Sequence, residues 1–383
     1  MKDETLDKVL SKKNSREKVI LATEIGTGKQ LILDEESKDT NIKQILIEAK
    51  DNFLSLAATD MEIAELQKVS CEIEQNGVIT TPAHVLHDIV RKLPDNALIE
   101  LESFEGKKLE IKTDKISFSL MCLNPKDFPD IHSGSFPDSF EIEADKLSRL
   151  IDKTLFSVST EETRYYLNGI YIHTVKEETE ERFRVVATDG HRLSRLSTEL
   201  PLNAKNLEGV IIPRKTVIEL RKIIDGKQNT VKIQLSKNKI RFGIDNISLT
   251  SKLLDGAFPD YEKVIPSNNT KELIIDNKEF IDAVDRVSTV SSDRTRAIKF
   301  ELSDKQLTIS AENPDQGSAK EHLNVHYTGD KLDIGFNSRY LLDIAKQISG
   351  AQVKFLLSDK LSPTLIFDDD DKQALYLLMP MHI

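Results

Sequence analysis

The stretch RFRVVATDGHRLSRL, Arg182 to Leu196, decides how the chain divides. Phe183, Val185 and Ala187 alternate onto one face with a period of two, which predicts a strand. Asp189-Gly190 predicts a tight turn at its end, with a polar exit beyond. Two cruder copies stand elsewhere. Leu54, Leu56 and Ala58 lead into Thr59-Asp60, and Leu307, Ile309 and Ala311 lead into Glu312-Asn313. Three occurrences at nearly equal intervals predict three copies of one structural unit.

Other segments obey the same repeat. An amphipathic helix is expected before each of these strands, at Leu6, Val9 and Leu10, at Leu147, Leu150 and Ile151, and at Phe280, Ala283 and Val284. Asp145 and Asn277 are the expected caps of the second and third. After each strand a second helix is expected, following Pro82, Pro213 and Asn337, with an apolar residue four positions on (Leu86, Val217 and Leu341). Phe128-Pro129-Asp130 and Phe258-Pro259-Asp260 each precede a Pro/Ser/Asn-rich stretch, which reads as a linker. The expected domains are therefore 1–132, 133–267 and 268–383, each an α+β unit with helices on one side of a mainly antiparallel sheet. The run Asp368 to Asp371 is expected to be a solvated hairpin turn.

Composition bounds the function. The 383 residues are 39% hydrophobic and 31% charged, as in a globular protein with sizeable cores, and the formal net charge is −11. No apolar run reaches the roughly 18 residues of a membrane span. The charged N-terminus MKDETLDKVL has no apolar signal region, and the two cysteines, Cys71 and Cys122, form no C-x-x-C. The expectation is a cytoplasmic protein with reduced thiols and no membrane partner.

Catalytic chemistry finds little to hold on to. Gly26-Thr27-Gly28-Lys29 resembles a phosphate-binding loop, which would suit a nucleotide-hydrolysing enzyme. The first glycine of G-x-x-x-x-G-K-[ST] is missing, and Gln30 replaces the metal-binding hydroxyl, so a hairpin turn is the better reading. Asp189 and His191 have no partner nucleophile, and the histidines show no metal-ligand spacing. No catalytic residue, metal or cofactor is expected. Basic pairs do collect on the repeat helices: Arg91 and Lys92, Arg149 and Lys153, Arg214 and Lys215, Arg221 and Lys222. Such helices could meet phosphates without reading sequence. Arg164-Tyr165-Tyr166 could add stacking on bases.

TRYYLNG (163–169), ATDGHRL (187–193), PRKTVIEL (213–220), SKLLDGAFPDY (251–261), SSDRTRAIKF (291–300), GFNSRYLLD (335–343) and the terminal MPMHI together resemble the bacterial sliding clamp family, the beta subunit of DNA polymerase III. The likeness runs from about residue 42 to the C-terminus. It implies three repeated clamp domains per subunit, joined head to tail in a homodimeric ring around duplex DNA, with helices lining the pore and antiparallel sheets outside. The family's Arg-x-Thr-x-Pro-Ile-Leu segment is replaced here by KDTNIKQILIEA, and Lys263 and His382 stand where arginine is common.

The resemblance also implies sites. Duplex and primer-template DNA would meet Arg91, Arg214, Lys215, Lys222, Tyr165 and Tyr166. The dimer seam would set Phe118 and Leu120 against Thr289 and Val290. A pocket for short Gln/Leu/Phe-containing peptides would use Leu167, Thr188, Gly190, His191, Arg192 and Leu193, with Pro259, Lys263 and Val264. Asn337, Tyr340, Leu361, Pro363, Leu378, Met379, Pro380 and Met381 would complete it. Its partners would be the polymerase III alpha subunit, the clamp loader, other polymerases and repair proteins.

Overall fold

The computed structural model describes residues 16–21, 43–94, 97–177, 180–205, 207–292 and 294–382. The helix expected around Leu6, Val9 and Leu10 and the turn at 26–29 lie outside them. The chain forms two compact units. Met1–Ser139 with Asn229–Lys252 makes the first, and Phe140–Gln228 with Leu253–Ile383 the second.

In the first unit, one antiparallel sheet runs in the order Glu72–Ile73, Arg16–Leu21, Ile99–Phe104, Lys108–Lys112 and Ser117–Met121. In the other sheet, Thr230–Leu235, Lys239–Ile244 and Ile247–Lys252 continue into Ile63–Ser70, Phe53–Thr59, Gln44–Lys50 and Gly77–Pro82. Strands of the second repeat thus extend the sheet of the first, with Leu249 opposite Glu65. Helix α1 (Ala83–Lys92) follows Pro82 and buries Ala83 and Ile89. They join a core of Ile45, Ile47, Leu54, Ile79, Leu101, Leu109 and Ile111, against which half-buried Cys71 and Cys122 pack. Both cysteines are free.

The second unit repeats this plan. Its long antiparallel sheet runs Val210–Pro213, Gly169–Glu177, Glu180–Thr188, Arg192–Glu199, Ala374–Leu378, Thr364–Asp368, Gln352–Leu357, Lys271–Asp276 and His326–Thr328. A shorter sheet holds Gly317–Asn324, Gln306–Asn313, Ala297–Ser303 and Leu332–Asn337. Helix α2 (Ala144–Leu155) packs beside α3 (Arg214–Ile224), and α4 (Asn277–Ser288) beside α5 (Ser338–Ala345). The predicted apolar stripes are the buried ones. Leu147, Leu150 and Ile151 of α2 and Phe280, Ala283 and Val284 of α4 are all inside, and each large side chain contributes roughly 2 kcal/mol.

Several expectations are corrected. Glu143 occupies the N-cap of α2, and Asp145 falls in its first turn. Asp276 caps α4, accepting the Glu279 N–H at 2.8 Å, while Asn277 is buried and donates to the Ala345 carbonyl at 3.1 Å. In both helices the N-cap is the last residue of a strand, Glu143 of Asp138–Glu143 and Asp276 of Lys271–Asp276, so it already has the non-helical backbone a cap needs. Glu180–Thr188 is buried on two faces, because Tyr261, Leu375 and Leu377 cluster with Val186 opposite the Phe183 face. Asp368 and Asp371 do flank a hairpin turn but are buried. Asp368 accepts from the Ser349 N–H at 2.6 Å, and Asp371 lies 2.8 Å from Lys153 Nζ and is bonded to Arg149. Arg149, 38% exposed, and the nearly buried Lys153 are therefore both tied to this carboxylate. Arg221 is likewise bonded to Asp152 at 2.7 Å and Asp225 at 2.8 Å.

Candidate partner-binding site

The turn after Glu180–Thr188 is built by its own side chains. Thr188 Oγ1 donates to the Arg192 carbonyl at 2.7 Å and accepts the Gly190 N–H at 3.1 Å. Asp189 Oδ1 accepts the N–H groups of His191 and Arg192 at 2.9 and 3.0 Å. The first repeat makes the same turn: Thr59 and Asp60 bond the backbone of Met61, Glu62 and Ile63 in the same pattern, and Met61 sits at φ +76° where Gly190 sits at +87°. The conformation alone does not demand glycine in this fold. At Gly190 a Cβ would also lie 2.5 Å from Arg164 Nη1, so that side chain, bonded to Glu161 at 2.8 and 2.6 Å, would have to shift.

Arg192 ties this turn to α5 and to the end of α2. It is buried, with Nε 3.1 Å from Asp189 Oδ2, Nη1 2.7 Å from Asp343 Oδ2, and Nη2 donating to the Phe156 carbonyl. Its guanidinium lies 4.4 Å from the Tyr340 ring centre and 5.2 Å from that of Phe156. The His191 ring lies nearly parallel to Tyr340 at 6.2 Å. Two carboxylates and two aromatic faces compensate a charge that burial would otherwise make costly. Burial first, and the Asp189 carboxylate second, push the Tyr340 hydroxyl above its ordinary pKa.

The tail closes the arrangement. Ala374–Leu378 pairs with Arg192–Glu199, placing Leu378 opposite Arg192. Beyond the strand, Met379 N–H donates to the His191 carbonyl and Met381 N–H to the Gly335 carbonyl, both at 2.8 Å. Asn337, two residues after Gly335, caps α5 by accepting from Arg339 and Tyr340. Beneath lies an apolar floor of Val186, Leu193, Tyr261, Leu365 and Leu377, with Phe258 and Met379 packed on it.

The expected pocket residues divide by exposure. Leu167, Arg192, Leu193 and Leu378 are buried, and Thr188, Asn337, Tyr340, Pro363, Met379, Pro380 and Met381 are half-buried. Gly190, His191, Pro259, Lys263, Val264 and Leu361 are exposed. The turn and the tail meet at His191 and Met379, and Arg192 meets Tyr340. Lys263 and Val264 lie on the short helix Tyr261–Val264, anchored by Tyr261, and Lys263 pairs with Asp260 at 2.9 Å. Leu361 and Pro363 precede the strand Thr364–Asp368. The carboxylate of Asp343 and the ring of Phe156 escaped the sequence reading, and Asp189 was read as a turn residue without its bond to Arg192. Asp343 lies within GFNSRYLLD, yet nothing in its spacing announces a partner far away in the chain.

The expected DNA contacts are on the surface. Arg91 is exposed on the last turn of α1, 3.4 Å from Asp88. In the second unit, the N–H of exposed Arg214 donates to the Asn168 carbonyl at 2.9 Å, which sets the start of α3 beside the turn Glu162–Leu167. Tyr165, 51% exposed, stands edge-on to Tyr166 in that turn, at 5.8 Å. Lys215 and Lys222 are exposed on α3, with Lys222 bonded to both oxygens of Glu219 at 2.9 and 3.0 Å.

Of the expected seam residues, Phe118 and Leu120 are half-buried on Ser117–Met121, an outermost strand of its sheet among the described residues. Exposed Thr289 and half-buried Val290 follow α4. Arg286 near that end bonds Glu321 on the outer strand Gly317–Asn324 at 2.6 Å. Among the described residues there is no cluster of His, Cys, Asp or Glu fit to hold a metal, and no helix long and apolar enough to cross a membrane.

Residues 17–132, 141–260 and 262–382 match the N-terminal, central and C-terminal domains of the DNA polymerase III beta subunit family. The beta sliding clamp of Caulobacter vibrioides is 43% identical over 356 residues, covering 92% of this chain and 95% of the relative. That of Escherichia coli K12 is 36% identical over 340 residues, covering 88% and 91%. Among solved structures, a sliding clamp from Bartonella birtlesii bound to griselimycin aligns with a TM-score of 0.92 at 42% identity, over 96% of this chain and 100% of that one. A sliding clamp from Pseudomonas aeruginosa with ligand gives 0.90 at 36% identity, over 96% and 100%.

Proposed function

From the premise that this chain belongs to the DNA polymerase III beta subunit family and is a DNA sliding clamp, we propose how it holds DNA and partners. Two subunits join head to tail into a ring around duplex DNA, and the ring tethers the replicative polymerase to its template. A processivity factor needs topology rather than a tight grip. A closed ring cannot leave a long duplex, while weak contacts blind to sequence let it slide. Arg91, Arg214, Lys215 and Lys222 meet phosphates, and Tyr165 and Tyr166 stack at a primer-template junction. The protein acts in the cytoplasm as an accessory factor without catalysis of its own.

Partners dock one at a time, through short Gln/Leu/Phe-containing peptides, on the surface where tail and turn meet. The polymerase alpha subunit, the clamp loader, other polymerases and repair proteins are the partners we infer. The observation that carries this reading is the tail pinned between the His191 and Gly335 carbonyls above an apolar floor. It leaves Met379, a side chain that adapts to varied apolar shapes, beside the fixed polar groups of the turn. Deleting Met379–Ile383 should abolish fluorescence anisotropy of a labelled peptide of that type while leaving a dimer. Native affinity in the truncated protein would place the peptide elsewhere. Retention on nicked circular DNA, lost once that DNA is linearised, tests the ring itself.

A further inference from the structure

Arg184 is a deeply buried charge in the second unit's sheet that the partner-binding site does not use; its side chain is 4% exposed. Its Nε donates to Ser197 Oγ at 3.1 Å, and Nη1 donates to Tyr261 Oη at 3.1 Å and to the Glu262 carboxylate. Nη2 donates to Glu177. Tyr261 in turn lies 2.9 Å from His173 Nε2, while His173 Nδ1 faces the Thr174 carbonyl at 3.1 Å. A carbonyl can only accept, so Nδ1 carries the ring proton and Nε2 accepts from Tyr261. The direction of every bond is then set. Arg184 donates to the Tyr261 oxygen, and Tyr261 donates its own proton to His173. Arg195 reaches the same Glu262 carboxylate at 3.5 Å.

Four of these contacts, from Arg184 to Tyr261 and Glu262, from His173 to Tyr261 and from Arg195 to Glu262, meet on one short element. Tyr261–Val264 is a single turn of helix in the linker, too short to hold its own shape. Tyr261 and Glu262 are bonded to the sheet through Arg184, and the next two residues, Lys263 and Val264, are exposed. We propose that Arg184 is a positioning residue for the peptide site: through Tyr261 and Glu262 it fixes the turn that presents Lys263 and Val264 to the incoming peptide. The inference rests on the peptide-site reading above. Arg184 itself touches no peptide. An ionic and hydrogen-bonded anchor has a use here that an apolar one lacks, because it sets the turn's rotation as well as its depth. Aromatic packing alone, with Phe258 stacked on Tyr171 at 4.7 Å and 3°, would hold the linker down and leave Val264 free to swing.

The test is a double-mutant cycle read by anisotropy of a fluorescein-labelled Gln/Leu/Phe peptide on the full-length dimer. Tyr261→Phe removes one hydroxyl and keeps the ring in the apolar floor. Glu262→Gln removes the carboxylate that Arg184 and Arg195 share. Each should weaken the peptide roughly five-fold, with the dimer intact by light scattering. Val264→Ala should weaken it as well, and Glu262→Gln combined with Val264→Ala should lose clearly less than the two single losses multiplied together, since only Lys263 is left for the anchor to position. Additive losses, or native affinity in both Tyr261→Phe and Glu262→Gln, would overturn the proposal. If Glu262→Gln does not fold, the same cycle is run with Tyr261→Phe, whose packing is unchanged. Deletion of Met379–Ile383 is measured in parallel: native binding there would refute the peptide site, whereas its loss together with additive cycles would refute only the role of Arg184.

Discussion

At the scale of single residues, Gly190 and Met61 occupy the same place in two copies of one turn, and opposite substitutions should have opposite signs. Gly190→Ala meets Arg164 Nη1 at 2.5 Å and keeps a left-handed backbone, which costs about 1–2 kcal/mol in the backbone alone. The end of the Arg164 side chain must also shift. The variant should lose peptide affinity and melt earlier, still as a dimer. Met61→Gly relieves the same backbone strain, offset partly by glycine's greater freedom when unfolded, and should change stability by less than about 1 kcal/mol. Equal effects at the two positions in differential scanning calorimetry would show that Arg164 is not what constrains the turn.

At the scale of elements, the hairpin from Thr364–Asp368 to Ala374–Leu378 carries the tail and is anchored by Asp371. Lys153 and Asp371 are both nearly buried, their side chains 11% and 9% exposed. Asp371→Asn would leave a buried ammonium without its counter-charge and should cost roughly 3 kcal/mol. Adding Lys153→Met should recover much of that loss, because two neutral groups then replace two charges. Burial alone would raise the Asp371 carboxyl, but Lys153 and then Arg149 outweigh it and hold its pKa below the ordinary value. A carboxyl lowered in this way stabilises the fold above its unfolded pKa, about 3.9, and gives up that stability as pH falls through the folded value. The acid slope of stability below about pH 4 should therefore flatten in Asp371→Asn. An unchanged slope would assign it to other carboxylates. This hairpin also marks where sequence reading stops. The stripes Leu147, Leu150, Ile151 and Phe280, Ala283, Val284 were legible because burial on one face leaves a period. The turn at Asp189 was legible because its side chains bond their own backbone. Asp371 and Arg184 were not, since each is buried by partners distant in sequence and looks like any surface charge. Val186 was missed for a related reason: a strand covered on both faces loses the alternation that identifies its inner side.

At the scale of the whole molecule, the net charge of −11 works against an open-ended grip on DNA, and the ring proposed above would hold it by enclosure. Binding to short linear duplex should be weak and fall steeply with salt. Replacing both Tyr165 and Tyr166 by Ala should lower primer-template binding without changing the mass of the dimer; unaltered binding would make the pair a packing feature only. The strand Ser117–Met121 exposes an unpaired edge among the described residues, with Phe118 and Leu120 half-buried along it. Such an edge is a liability unless a second chain covers it. Leu120→Asp should give monomers in light scattering, and a persistent dimer would move the seam away from this edge.

The two cysteines packed on the first unit's core bear on how the protein can be watched. Burial pushes the Cys122 thiol up to about 11, and Cys71 is shifted in the same direction by the same cause. A thiol titrating there is ionised in only about one molecule in ten thousand at neutral pH, and the thiolate is the form that reacts. Maleimide dyes would react slowly with Cys122 and faster with a cysteine introduced at the exposed hairpin tip, such as Lys237→Cys. Single fluorophores could then follow one subunit's travel along a stretched DNA molecule with the natural core left untouched.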